Sequence, residues 1–71
     1  MRRMLLYSLE RMRPIRMIFM QEETMRQVNC VVTALNDKSA TVRILRPQQD
    51  AVIDLNDILS VDYKKGDDGN I

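Results

Sequence analysis

The first hydrophobic pattern in the chain has helical spacing. Leu5, Leu9 and Met12 recur at intervals of three and four residues, and Pro14 ends the pattern, because proline lacks the backbone donor that a continuing helix requires. The sequence therefore predicts one amphipathic helix within residues 2–12. A helix of about ten residues is too short to be stable alone in water, so we expect its apolar face to pack on another element.

After the proline the hydrophobic period changes to two, which is typical of β-strands. Turn-forming polar residues and a proline interrupt this alternation in the segments "QEET", "NDKS" and "PQQD". "NDI" predicts a 3₁₀ corner near residues 55–58, in which Asn56 and Asp57 bond free backbone N–H groups. The predicted strands lie near residues 15–21, 26–35, 40–46, 51–54 and 59–63.

Alternation within the strands predicts which side chains are buried. Both faces of the first strand are largely apolar. The face that does not point into the core is therefore either covered by another part of the protein or presented to another chain. Ile18 and Met20 on that face, together with Val31 of the second strand, form a candidate interface. The expected core consists of Leu5, Leu9, Ile15, Met17, Phe19, Val32, Val42, Ile44, Ile53, Ile58 and Val61.

The order of these elements resembles the Sm-like, SH3-like small barrel over residues 4–63. Within that superfamily, "RPIRMIF" and "IDLNDILSV" are most similar to the YolD-like proteins of bacteria. WYL-type domains and Hfq-type proteins are more distant resemblances. The implied fold is mainly β with one N-terminal α-helix, a five-stranded small barrel over residues 1–63, followed by a flexible tail at 64–71.

The resemblance implies binding to other macromolecules. Small barrels expose the edges of their fourth and fifth strands, which a neighbouring strand can extend, and some YolD-like proteins are thought to accompany error-prone DNA polymerases. Two departures from the superfamily matter. Cys30 stands where many Sm-like barrels have a glycine at a sharp bend, and Asp54, Leu55 and Asn56 stand where an Hfq-type Tyr-Lys-His signature would fall. The second departure argues against uridine binding of the Hfq type.

The residues that enzymes most often use are scarce in this chain. It contains no histidine and one cysteine, and its two glycines, Gly66 and Gly69, form no phosphate-binding loop. Cys30 lies among valines, as a buried apolar cysteine does. We assign structural roles to the acidic pairs Asp54/Asp57 and Asp67/Asp68. The sequence therefore predicts a protein that is not an enzyme and holds no metal or cofactor.

Charge is distributed unevenly along the chain. Residues 1–26 carry a balance of +3, residues 27–49 one of +2 and residues 50–71 one of −4. Either the two regions attract each other, within one chain or between subunits, or the basic part binds a polyanion such as nucleic acid. The candidate polyanion-binding residues are Arg2, Arg3, Arg11, Arg13 and Arg16.

Length and hydropathy bear on partners and location. A single domain of 71 residues buries only about 60–65% of its unfolded surface, so its core is thin and a protein partner or homo-oligomer is expected. No apolar run approaches the roughly 18 residues that a membrane span needs, so we expect no membrane insertion. The lone cysteine and the lack of a secretory leader fit a reducing cytoplasm.

Overall fold

The computed structural model describes residues 1–63 as one helix and a five-stranded antiparallel sheet, which confirms the predicted mainly β class. The flexible tail predicted at 64–71 lies outside the described residues. Within the described part, no helix has the length and apolar character needed to cross a membrane. The elements are α1 (Arg2–Arg11), β1 (Ile15–Gln21), β2 (Thr24–Leu35), β3 (Ser39–Leu45), β4 (Gln48–Asp54), a 3₁₀ turn (Leu55–Asp57) and β5 (Ile58–Tyr63).

The helix ends in a left-handed cap at Met12, whose φ is 55° and whose N–H bonds the carbonyl of Ser8. This cap turns the chain away from the helix axis, so Met12 is 77% exposed. The helical spacing that included Met12 in the apolar face was therefore wrong at its last position. Leu9, in the turn before, packs against the core.

Ser8 connects the helix to the sheet. Its buried Oγ donates a hydrogen bond to the carbonyl of Arg13 at 2.7 Å and accepts one from the N–H of Val32 at 2.9 Å. The pairing of β1 with β2 ends at Ile15 and Cys30, so Val32 lies beyond the reach of β1. The serine hydroxyl thus supplies the partner that a longer β1 would have supplied.

The strands occur in the order β4-β3-β2-β1-β5, and each is antiparallel to its neighbours. The two edges of the sheet are β4 and β5, and these strands do not pair with each other. The sheet is therefore open, and the closed small barrel that the sequence predicted is not confirmed.

Two β-bulges bend the sheet. In β2 the register with β3 shifts between Val32 and Ala34, and between β1 and β5 it shifts so that Leu59 is the extra residue. Bulges increase strand twist and bending. The bulge in β2 therefore bends this strand although Cys30 stands where many Sm-like barrels have a glycine. The second bulge leaves Leu59 52% exposed, whereas Val61 packs against the core. In a regular strand Leu59 and Val61, two residues apart, would lie on one side.

The β1–β2 turn is tighter than its sequence indicates. Glu22 and Glu23 have φ values of 51° and 68°, as the primed two-residue hairpin turns require. Glycine and asparagine are the usual residues there, so "QEET" carried no signal for a tight turn. As a result β2 begins at Thr24, earlier than predicted.

The "NDKS" turn has the predicted form, whereas the "PQQD" turn is shorter than predicted. In "NDKS" the Asn36 Oδ1 accepts the N–H groups of Lys38 and Ser39 at 2.7 and 2.8 Å, as asparagine in a turn is expected to do. In "PQQD", by contrast, a cis peptide bond joins Arg46 to Pro47, and β4 begins at once with Gln48 instead of near residue 51.

The 3₁₀ turn joins β4 to β5 as the sequence predicted, but a different side chain caps it. The Asp54 carboxylate accepts the N–H of Asn56 at 2.8 Å. The N–H of Leu55 donates to the carbonyl of Lys38 at 2.9 Å, which ties the corner to the β2–β3 turn. The capping role expected of Asn56 and Asp57 therefore belongs to Asp54.

The core lies between the inner face of the sheet and α1. Leu9 and Val61 of the predicted set are only partly buried at its margin. Val28, Cys30 and Ala40 are additional buried residues that the prediction left out of its core. The confirmed core residues are Leu5, Ile15, Met17, Phe19, Val32, Val42, Ile44, Ile53 and Ile58.

Candidate interaction surfaces

The outer face of β1 carries two of the three predicted interface residues. Ile18 pairs with Gln27 of β2 on one side and with Ser60 of β5 on the other. Met20 pairs with Met25, which is exposed. Ile18 and Met20 are themselves partly buried. Paired residues share a face, so these side chains with Met25 form an apolar strip near the hairpin, which we call the outer strip.

Val31 does not belong to the outer strip. It lies four residues beyond Gln27 on β2, or about 13 Å at the usual rise of a strand, and it pairs with Arg43. Arg16 and Asn29 form the intervening pair. Val31 thus lies on the outer face, as alternation predicts, but apart from Ile18 and Met20. Met25, whose position depends on the two-residue turn, is an addition to the predicted set.

The candidate arginines divide into two groups. Arg16 lies on the outer face of β1, and its guanidinium is 3.7 Å from the carboxylate of Asp62 on β5. On the same outer face, Arg43 of β3 pairs with Asp50 of β4 at 3.1 Å. Both pairs are exposed, so each contributes only about 0.2–1 kcal/mol. The expected attraction between the basic and acidic regions thus occurs at two cross-strand pairs.

The remaining candidates lie on α1 or just after it. Arg2, Arg3, Arg11 and Arg13 are exposed. Arg2, Arg3 and Arg11 take part in none of the ion pairs within residues 1–63. The five predicted arginines therefore do not form one face, since Arg16 is on the sheet and already paired.

A groove separates α1 from β5, and we call it the helix groove. The rings of Tyr7 and Tyr63 meet edge to face, with centroids 5.1 Å apart and planes at 86°. Such a pair fixes both rings in place. The residues that line the groove are Met1, Arg3, Met4, Tyr7, Glu10, Arg11, Val61 and Tyr63. Its floor is therefore apolar and aromatic, and the charged residues that the described part of the chain contributes to it are two arginines and a glutamate.

A second opening lies at the far end of the sheet, where the β1–β2 hairpin faces β4 and the 3₁₀ turn. Here Arg26 covers the core: its guanidinium is 5.8 Å from the Phe19 ring centroid and donates to Gln21 Oε1 at 2.9 Å. Asp54 and Asp57 also line this opening. A cation over an aromatic face is stabilising, so Arg26 closes one side of the core that none of the five described strands covers.

The sheet edges expose apolar side chains as well as backbone. Val52 of β4 is 71% exposed and Leu59 of β5 is 52% exposed. Val52 pairs with Thr41, and Asp50 and Asp54 pair with Arg43 and Ser39 two positions on either side. The outer face of β4 therefore presents a carboxylate, a valine and a second carboxylate in alternation.

Cys30 is buried, as the sequence predicted, although the predicted core set did not include it. Its side chain has no exposed surface, and burial raises its pKa from 9.0 to about 11. A thiolate, the reactive form, is therefore scarce at neutral pH. Over residues 1–63, no three acidic, cysteine or histidine side chains lie close enough together to hold a metal ion.

The comparisons with known proteins add no relative. The chain matches no protein-family model, no curated protein and no solved structure.

Proposed function

We propose that this protein is a non-enzymatic interaction module that self-associates through the edges of its sheet. The observation that carries the proposal is the open sheet, which within residues 1–63 ends in two edge strands, β4 and β5, each paired on one side only. An unpaired edge offers a row of backbone donors and acceptors to another strand. Exposed Val52 and Leu59 add apolar surface to these edges.

The chemistry of the edges favours selective pairing over aggregation. Asp50 and Asp54 on β4 and Asp62 on β5 place negative charge beside the exposed backbone, and charges on an edge strand oppose indiscriminate pairing. Because β4 and β5 are different surfaces, a contact between them is heterologous. Such a contact yields a ring when its rotation closes and a filament when it does not.

Light scattering at micromolar concentration tests the proposal. We expect a mass above the 8.3 kDa of one chain. Leu59→Lys should lower it, because a lysine on an edge strand blunts pairing, and Ile18→Lys or Met20→Lys should weaken any assembly that uses the outer strip. Gln27→Lys, on the outer face of the central strand β2, is the matched control for Leu59→Lys only, because Gln27 pairs with Ile18 of the outer strip. A monomer at every concentration would refute self-association.

The cellular role is a further part of the proposal and rests on the sequence resemblance. By that resemblance we assign the protein to the bacterial cytoplasm, as a YolD-like small barrel and an accessory in DNA-damage tolerance. Loss of the gene should then lower damage-induced mutation frequency, with a plasmid copy restoring it. An unchanged frequency would count against this role.

Nucleic-acid binding by α1 is the second candidate, because Arg2, Arg3 and Arg11 are exposed and absent from the ion pairs of residues 1–63. Arginine bonds phosphate oxygens in pairs. Three phosphate contacts would give a log-log salt slope of about −3 with duplex DNA, against −4 to −5 for all five predicted arginines. Titration with a duplex at about 50 mM salt, where non-specific contacts bind, tests it, and Arg3→Ala/Arg11→Ala should abolish the signal.

A further inference from the structure

The helix groove has a rim of fixed dimensions. Arg3 and Arg11 border it and are eight residues apart, about 12 Å along a helix. Between them lies Tyr7, whose ring meets that of Tyr63 edge to face. Among residues 1–63, Glu10 is the one carboxylate on the groove, so the charged residues that this part of the chain contributes are net positive. The fitting ligand is an apolar side chain flanked by two negative charges.

The outer face of β4 has this chemistry and this spacing. Asp50 and Asp54 are four residues apart, about 13 Å along a strand. Between them Val52 is 71% exposed, the largest exposed fraction among the large aliphatic side chains of β4 and β5. The two carboxylates of this edge strand are thus opposite in charge to the two arginines of the helix groove. The valine between them is suited to the apolar floor of the groove.

We infer that Val52 of one copy enters the helix groove of a second copy, where Asp50 and Asp54 meet Arg3 and Arg11. This inference rests on the proposed self-association and adds to edge pairing a second contact, between the outer face of β4 and the helix groove. Asp50 is already paired with Arg43 at 3.1 Å, but an exposed pair of this kind is weak, so it can be shared. Glu10 opposes the contact.

Charge exchange tests this contact. Arg3→Asp/Arg11→Asp makes both surfaces acidic, and Asp50→Arg/Asp54→Arg makes both basic. Each variant alone should associate at least about tenfold more weakly, because like charges then face each other across the contact. An equimolar mixture should recover association, since each groove then meets a β4 of opposite charge. Val52→Lys should weaken association in the wild-type background.

The readouts separate this inference from the function on which it rests. Asp54 also caps the 3₁₀ turn, so circular dichroism must confirm the fold of the basic variant. Arg3→Asp/Arg11→Asp changes exposed helix positions only and is decisive alone: if it associates like wild type while Leu59→Lys weakens assembly, the inference fails and edge pairing stands. A monomeric wild type removes both.

One further variant addresses a rival occupant of the groove. Asp67 and Asp68 are a second acidic pair in the sequence and the rival partner for the same arginines of a second copy. If Asp67→Asn/Asp68→Asn weakens association about tenfold or more, that pair and not Asp50 with Asp54 meets Arg3 and Arg11, and the inference is overturned. Unchanged association in this variant, with loss in Arg3→Asp/Arg11→Asp, supports it.

Discussion

The two ends of the sheet, one where β1 begins and one at the β1–β2 hairpin, are covered to different degrees. At the end where β1 begins, α1 lies against β2 and β5, and the Ser8 hydroxyl completes the hydrogen bonding of Val32. At the hairpin end no helix of residues 1–63 covers the sheet, and Arg26 lies over Phe19 beside an opening to β4. We call these the closed end and the open end.

The contrast shows how a short chain distributes its stability. The closed end combines fully buried side chains such as Ile15 and Cys30 with a buried hydrogen-bonded serine. At the open end, two glutamates of the hairpin turn have left-handed conformations. The core residue Phe19 is covered there by a long, flexible side chain, that of Arg26. Substitutions that disrupt packing should therefore lower the free energy of unfolding most at the closed end. Substitutions at the open end should be able to raise it.

The largest expected effect is that of Ile15→Ala at the closed end. Removing a fully buried isoleucine costs about 2–5 kcal/mol through lost burial and the cavity left behind, and a domain of this size has only about 4–10 kcal/mol of stability. Ile18→Ala, on the partly buried outer face of the same strand, is the matched control and should cost about 1 kcal/mol. Equal losses in urea unfolding would show that both faces are equally packed.

The alkylation rate of Cys30 measures how readily the closed end opens, and this measurement needs no substitution. Because its pKa is raised by burial from 9.0 to about 11, its thiolate fraction at pH 8 is about 100-fold below that of an unburied thiol. Alkylation should therefore be at least that much slower in the folded protein than in urea. Alkylation at the same rate in both conditions would mean that the closed end opens readily.

The raised pKa also gives stability a pH dependence. Between about pH 9 and pH 11 the unfolded chain loses the thiol proton while the folded chain keeps it, so a rise in pH across this window favours unfolding. Cys30→Ala removes this thiol contribution. Its stability should fall less steeply than that of wild type over the same window.

Ser8→Ala removes the link between helix and sheet and should cost about 1–3 kcal/mol, because the Val32 N–H remains buried without a partner. Ser60→Ala, at an exposed position of β5, should change stability by less than about 0.5 kcal/mol. Urea unfolding of both variants measures the difference. A Ser8→Ala protein as stable as wild type would indicate that water replaces the hydroxyl.

Much of the fold could be predicted from periodicity, since the change of period at Pro14 separates α1 from β1 and alternation identifies the inner face. What failed depends on features that leave no periodic trace. The left-handed cap at Met12 and the bulge at Leu59 each displaced one apolar residue from its expected side. Both are single-residue backbone conformations set by tertiary packing.

The candidate surfaces were predicted less well than the core, for a related reason. Ile18 and Met20 share a strand, so their common face follows from spacing alone. Met25 joins them, and Val31 does not, because of the strand register, which follows from a turn that has no turn residues. Ser8 gave no signal, because a serine within a helix usually faces solvent.

The smallest expected effect concerns the open end, where a better turn should raise stability. Glu22 and Glu23 both have positive φ, which costs a residue with a Cβ about 1 kcal/mol or more. Asn and Gly adopt these angles readily, so Glu22→Asn/Glu23→Gly should increase the free energy of unfolding by about 1 kcal/mol, part of the gain being offset by the entropy of glycine. Glu22→Gln/Glu23→Gln is the control, since it removes the charges and keeps the strained angles. If both variants gain equally, charge repulsion limits the hairpin, whereas a gain confined to the Asn-Gly variant locates the weakness of the open end in its backbone.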